Sequence, residues 1–150
     1  MIPPVVHNVQ GPVVMRRKKR TIIGAVEEVT IRGRRRQVKV LAKVDTGASR
    51  TTIDTELAAR AGLGPILDTV RIRAAVSEHP ETRAVVDADI VIAGRKFDMA
   101  VAITDRQDMR FHAIIGMDLL QRSGFLVDPT KVLEAKARKR MGRGVREVLG

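Results

Sequence analysis

Asp45 stands at the end of the run Lys39-Val40-Leu41-Ala42-Lys43-Val44 and is followed by Thr46, Gly47, Ala48 and Ser49. A carboxylate, then a hydroxyl, then a glycine at a strand's end makes a loop that holds an acid in a fixed place. Glycine lets the backbone turn sharply there. The threonine hydroxyl can tie the loop to a nearby main-chain group. The chemistry open to such a carboxylate is acid–base work on water. Hydrolysing a peptide bond with carboxylates alone takes two of them. One is ionised and deprotonates the water; the other is protonated and holds the scissile carbonyl oxygen. Two carboxylates about 3 Å apart cannot both ionise, so they share one proton. The chain has a single Asp-Thr-Gly, which is half of such a site. Catalysis would then require two copies of Asp45 to meet across a two-fold axis, in a homodimer. The competing reading is a strand that merely ends in an Asp-Thr-Gly turn.

Other chemistries find less support. Zinc needs three or four ligands at suitable spacing. His7, His79 and His112 fall in an arm, at a loop tip and beside an apolar strand, and there is no His-Glu-x-x-His run or cysteine. No metal site is expected, and His112 reads as a packed or surface residue. Ser49 and Ser123 have no organised histidine nearby to activate them. No glycine-rich phosphate loop followed by lysine occurs, so no cofactor is expected and ATP would act only through a partner.

A second stretch, His112-Ala113-Ile114-Ile115-Gly116-Met117-Asp118-Leu119-Leu120, reads as a buried strand, a glycine corner and a short helix. Asp45-Thr46-Gly47-Ala48 followed by Ile114-Ile115-Gly116 and Leu119-Leu120 resembles the retropepsin-like aspartic proteases, over about Thr21 to Asp128. The resemblance implies an all-β fold: a closed barrel or sandwich of hairpins with one or two short helices, half of a two-fold symmetric dimer. It also implies an aspartic endopeptidase acting on polypeptides, with Asp45 catalytic and Thr46 and Gly47 in the active-site loop. Ala48 and the flap residues Ala75, Val76 and Ser77 would contact substrate. A narrower likeness lies in Ile103 to Phe111, Ile115-Gly116 and Phe125-Leu126-Val127-Asp128-Pro129. These resemble a prokaryotic branch labelled ATP-dependent zinc protease and linked to ATP-grasp peptide ligases. Two departures stand out. The flap tip Ser77-Glu78-His79-Pro80-Glu81 has no glycine, and Pro80 stiffens it. Ser49 and Met117 replace an acid and an arginine that brace the retroviral dimer, so neither charge is left without the other.

These residues must be positioned by a small domain. A chain of 150 residues suits one domain with a modest core. Aromatics are only 2%, so the core must be built from Val, Ile, Leu and Ala. The net charge of +11 invites a nucleic-acid reading, but residues 21–130 carry 16 basic against 15 acidic groups. The excess sits in a basic arm, 1–20, and a basic tail, 130–150, around a retropepsin-like domain at 21–129. The tails read as solvated, with weak nucleic-acid contact open to them. No apolar run reaches membrane-spanning length and no signal peptide is evident, so a cytoplasmic protein without membrane contact is expected. Two rivals to proteolysis remain: a peptide- or partner-binding module of the same fold, and a nucleic-acid-associated factor.

The elements follow from pattern. Thr21 to Ile31 and Gln37 to Val44 form a hairpin about Arg32-Gly33-Arg34-Arg35-Arg36, whose four arginines read as a solvated turn, with an anionic-ligand patch as the alternative. Thr51 to Ile53 is extended, and Asp54 caps a helix that stops at Gly62. Val70–Val76 and Arg83–Val86 form the flap hairpin. Asp89–Ala93 and Phe97–Ile103 form another about Gly94-Arg95. Phe125–Val127 is a last strand before Asp128-Pro129, and Thr130 to Met141 has helical periodicity.

Overall fold

A computed structural model describes residues 19–72 and 81–133. The chain forms nine strands and two helices among these residues. They are β1 (Ile22–Ile23), β2 (Val26–Arg32), β3 (Gln37–Val44), β4 (Thr52–Asp54), α1 (Thr55–Ala61), β5 (Asp68–Ile72), β6 (Glu81–Ile92), β7 (Arg95–Thr104), β8 (Ala113–Ile115), α2 (Met117–Ser123) and β9 (Leu126–Val127). Strands β2, β3, β8, β4, β7 and β6 follow one another around a closed barrel, shut by pairing of β6 back to β2. Strand β5 extends the sheet from β6. Closure leaves those six strands with no free edge.

Alternation decides which side chains enter. In β3, Val38, Val40, Ala42 and Val44 are buried while Gln37, Lys39 and Lys43 are exposed, the period-two pattern of a strand with one wet face. The core is aliphatic, as the scarcity of aromatics requires, with Ile31, Ile53, Ile90, Ile115 and Leu119 almost wholly inaccessible. Phe97 and Phe125 meet edge to face at 5.9 Å. Helix α1 begins where expected: Asp54 accepts the Glu56 and Leu57 amides, and Gly62 ends the helix at φ 77°.

The structure departs from the sequence pattern in three places. The stretch Thr21–Ile31 breaks into β1 and β2. The Gly24 amide turns to Glu27 Oε1 at 2.8 Å, and β1 leaves to pair in parallel with β9. Strand β6 runs unbroken from Glu81 to Ile92, because β7 pairs along its length from Ala84 to Ile92 and bridges the polar residues Asp87 and Asp89. Residues 131–133 are not helical; Lys131 instead donates to Ile22 O and approaches Glu27. The flap tip, with Ala75, Val76 and Ser77, lies outside the described residues, as do the rest of the arm and tail.

Candidate active site

The parallel pair β3–β8 makes the site. Its register sets Val44 opposite Ile115, so the two strands end side by side and deliver Asp45 next to Gly116. The Asp45 amide donates to Ile115 O at 2.9 Å. The loop then folds back on its own carboxylate: the Gly47 amide reaches Asp45 Oδ1 at 2.9 Å and the Ala48 amide reaches Asp45 O at 3.2 Å. Oδ2 is ion-paired with Lys43 Nζ, 3.9 Å away. Lys43 lies two residues before Asp45, hence on the same side of the strand. The Asp45 side chain is 28% exposed, and Thr46 and Gly47 are exposed. The loop thus fixes an acid that is partly open to the surface.

The second motif clamps the first. Met117 and Asp118 donate their amides to Ala48 O and Ser49 O at 2.8 and 3.2 Å. Gly116 is forced by proximity: a Cβ there would stand 2.5 Å from the Arg50 carbonyl carbon and 2.9 Å from the Thr51 nitrogen. Thr51 is inaccessible and joins the two stretches. Its amide donates to both oxygens of Asp118, its hydroxyl donates to Asp118 Oδ1 at 2.7 Å, and the same hydroxyl accepts the Gly116 amide at 3.1 Å. Sequence reasoning saw Asp118 only as part of Asp-Leu-Leu and missed this latch. Its one signal was an acid in the first turn of a helix that follows the glycine corner. Asp118→Ala would leave the buried Thr51 amide and hydroxyl without their acceptor. Urea unfolding should show a loss of about 2–3 kcal/mol, the cost of stranded buried donors.

A second carboxylate, Asp54, is also inaccessible. Beyond capping α1 it accepts the Arg106 amide at 2.7 Å and a short hydrogen bond from Gln107 Nε2, which fastens loop 105–111 against the barrel. Arg106 closes that loop through Nε to Phe111 O. Burial, then the like charge of Arg83, holds its guanidinium below the ordinary arginine value, while Asp54 and Asp45 pull the other way. Asp54 was legible as a cap; its long-range partners were not. His112 is buried, its Nε2 has no partner among the described residues, and its carbonyl accepts the Asp54 amide.

The predicted residues Asp45, Thr46, Gly47 and Ala48 thus share one loop. Among the described residues no three His, Asp or Glu side chains converge as metal ligands. No helix among the described residues is long and apolar enough to cross a membrane.

Solved structures share this architecture. The protein Lpg0085 of unknown function (DUF785) from Legionella pneumophila subsp. pneumophila str. Philadelphia 1 is 17% identical, with a TM-score of 0.51 over 77% of this chain and 98% of that one. EIAV protease in complex with the inhibitor HBY-793 is 20% identical, with a TM-score of 0.53 over 79% of this chain and 97% of that one. At these identities the likeness is one of fold, and the fold is retropepsin-like. No curated protein sequence matches the chain. A family model described as aspartyl protease matches residues 27–119, which include both clamped motifs and more than half of the sequence, and the chain belongs to that aspartyl protease family.

Proposed function

We propose that this chain is an aspartic endopeptidase that acts as a homodimer, with a water activated between the Asp45 carboxylates of two copies. The observation that carries the reading is the state of the Asp45 loop. One carboxylate oxygen is held by the Gly47 amide, and the loop is clamped by Gly116 and the Thr51–Asp118 latch. The other oxygen, on a side chain 28% exposed, meets only the exposed Lys43 among the described residues, 3.9 Å away. A carboxylate fixed in this way and left open is suited to chemistry shared with a second one. One ionised Asp45 would take a proton from water while the other, protonated, donates to the carbonyl oxygen of the scissile bond. The Asp45 that took water's proton then passes it to the leaving amine as the C–N bond breaks, and the other takes a proton back from a hydroxyl of the tetrahedral intermediate, so the pair again holds one proton.

Ala48 and the flap residues Ala75, Val76 and Ser77 are the proposed substrate contacts, and the domain proper spans 21–129 between basic segments. The retropepsin-like fold and the amide-held Asp45 carboxylate support the aspartic mechanism. A cytoplasmic location and weak nucleic-acid contact through the tails remain parts of this proposal.

The test follows from one carboxylate per chain. Specific activity should fall on dilution through the dimer dissociation constant, since a lone copy has no second Asp45. Activity should also follow a bell in pH, because the pair works with one shared proton and fails with two or none. Full activity from a chain verified as monomeric by analytical ultracentrifugation would overturn the shared site.

A further inference from the structure

The turn between β2 and β3 carries Arg32, Arg34, Arg35 and Arg36, all exposed, and Arg60 lies in the last turn of α1 close by. A solvated turn would be held only by its own hairpin. Here the Arg34 amide donates to Gly62 O at 3.3 Å, and the Arg35 and Arg36 amides donate to Ala61 O at 3.0 and 3.3 Å. Gly33 lies so close to the helix end that a Cβ would stand 2.2 Å from Ala61 O. The backbone of this corner is therefore locked, while its guanidinium groups remain outside.

None of these five arginines forms an ion pair among the described residues; Arg32 only reaches the Gln37 side chain. Yet Asp87, Asp89 and Asp98 line the same 610 Å³ cavity as Arg32 and Arg34. Asp89 is instead paired with Lys96. Beside the corner, the loop after α1 presents Ile66 at 65% and Leu67 at 56% exposure, and Leu67 lines that cavity too. Scattered single apolar residues on a surface need no explanation. Two adjacent aliphatic side chains beside a fixed arginine cluster that has no ion pair among the described residues do.

We infer that this corner docks onto an anionic lipid surface, with the arginines on headgroup phosphates and Ile66 and Leu67 entering the interface. Guanidinium groups match phosphate oxygens in a planar fork. Basic residues and a small apolar insertion together make the usual combination for proteins that lie on a membrane without crossing it. A nucleic-acid backbone would engage the arginines but gives Ile66 and Leu67 nothing to do. Asp89 lies beside Arg32 in the β2–β6 pairing, with Asp98 next to it on β7, so the contacting edge is the turn with Arg34, Arg35 and Arg36 and the loop with Ile66 and Leu67. The inference is independent of the proteolytic reading, because the corner shares no residue with the Asp45 loop.

The test is co-sedimentation of the full chain with vesicles of phosphatidylcholine containing about 30% phosphatidylglycerol, against vesicles of phosphatidylcholine alone. Binding should require the anionic lipid and weaken steeply with salt. The triple variant Arg34→Gln, Arg35→Gln, Arg36→Gln should bind on the order of 100-fold more weakly, from roughly fivefold per arginine. It keeps the main-chain anchors and should melt like wild type. Ile66→Ser with Leu67→Ser should cost on the order of tenfold or more. Both variants retain the basic arm and tail, so undiminished binding by the triple variant would assign the effect to those segments and overturn the inference. So would equal binding to neutral vesicles, or binding to a duplex RNA that ignores the Ile66 and Leu67 changes in a chain that does not bind vesicles.

Discussion

Asp45→Asn is expected to remove cleavage of an unfolded protein or peptide library, by on the order of 10³-fold, while leaving the fold intact. Asparagine keeps an oxygen for the Gly47 amide, so the loop's internal bond survives. It can neither accept the proton of water nor share one with the opposite carboxylate. Thermal melting should therefore match wild type while turnover is lost. Mixed dimers from co-expression of wild-type and Asp45→Asn chains should be inactive or nearly so, because each retains only one carboxylate at the axis. Treatment with EDTA should change nothing. Activity that survives in Asp45→Asn, or that EDTA removes and zinc restores, would end the aspartic reading. Loss of cleavage with loss of the melting transition would point instead to a structural role for Asp45.

A large stability effect is expected at Gly116→Ala. The added methyl would meet Arg50 and Thr51 main-chain atoms at 2.5–2.9 Å. Backbone atoms cannot rotate aside as a side-chain tip does, so the β8–α2 corner must separate from the Asp45 loop. That movement would break the Gly116 bond to Thr51 Oγ1 and strain the Thr51–Asp118 latch. A loss of about 3 kcal/mol is expected, at the upper end of ordinary overpacking. In a domain with about 5–15 kcal/mol in total, that is a large fraction. Urea denaturation measures it directly. A change below about 1 kcal/mol would mean that the corner relaxes freely and that Gly116 is not needed for the clamp. Activity should fall further than stability in this variant, because displacement of the loop misplaces Asp45 even in molecules that remain folded.

Local chemistry was legible because its causes are local. The alternation of Val38, Val40, Ala42 and Val44 specifies a half-buried strand within eight residues, and the Asp54 cap and Gly62 stop are written in adjacent positions. The Asp45 loop was readable for the same reason: its carboxylate is held by an amide two residues away. Scarcity of aromatic residues determined a largely aliphatic core, since only three phenylalanines were available to join the Val, Ile, Leu and Ala side chains. What the sequence by itself left open were relations between distant residues. The split of Thr21–Ile31 depends on β9, more than ninety residues later, offering an edge to β1. The unbroken run of β6 through Asp87 and Asp89 depends on pairing with β7, which outweighs their poor intrinsic preference for strands. The Thr51–Asp118 latch joins residues 67 positions apart, and the Asp54 bond to the Arg106 amide spans 52. A threonine and an aspartate each have many local partners open to them, and only the seating of β8 between β3 and β4 selects this one. The sequence alone thus determined which side chains are apolar, which can cap and which can ionise; the barrel's closure decided which of them meet.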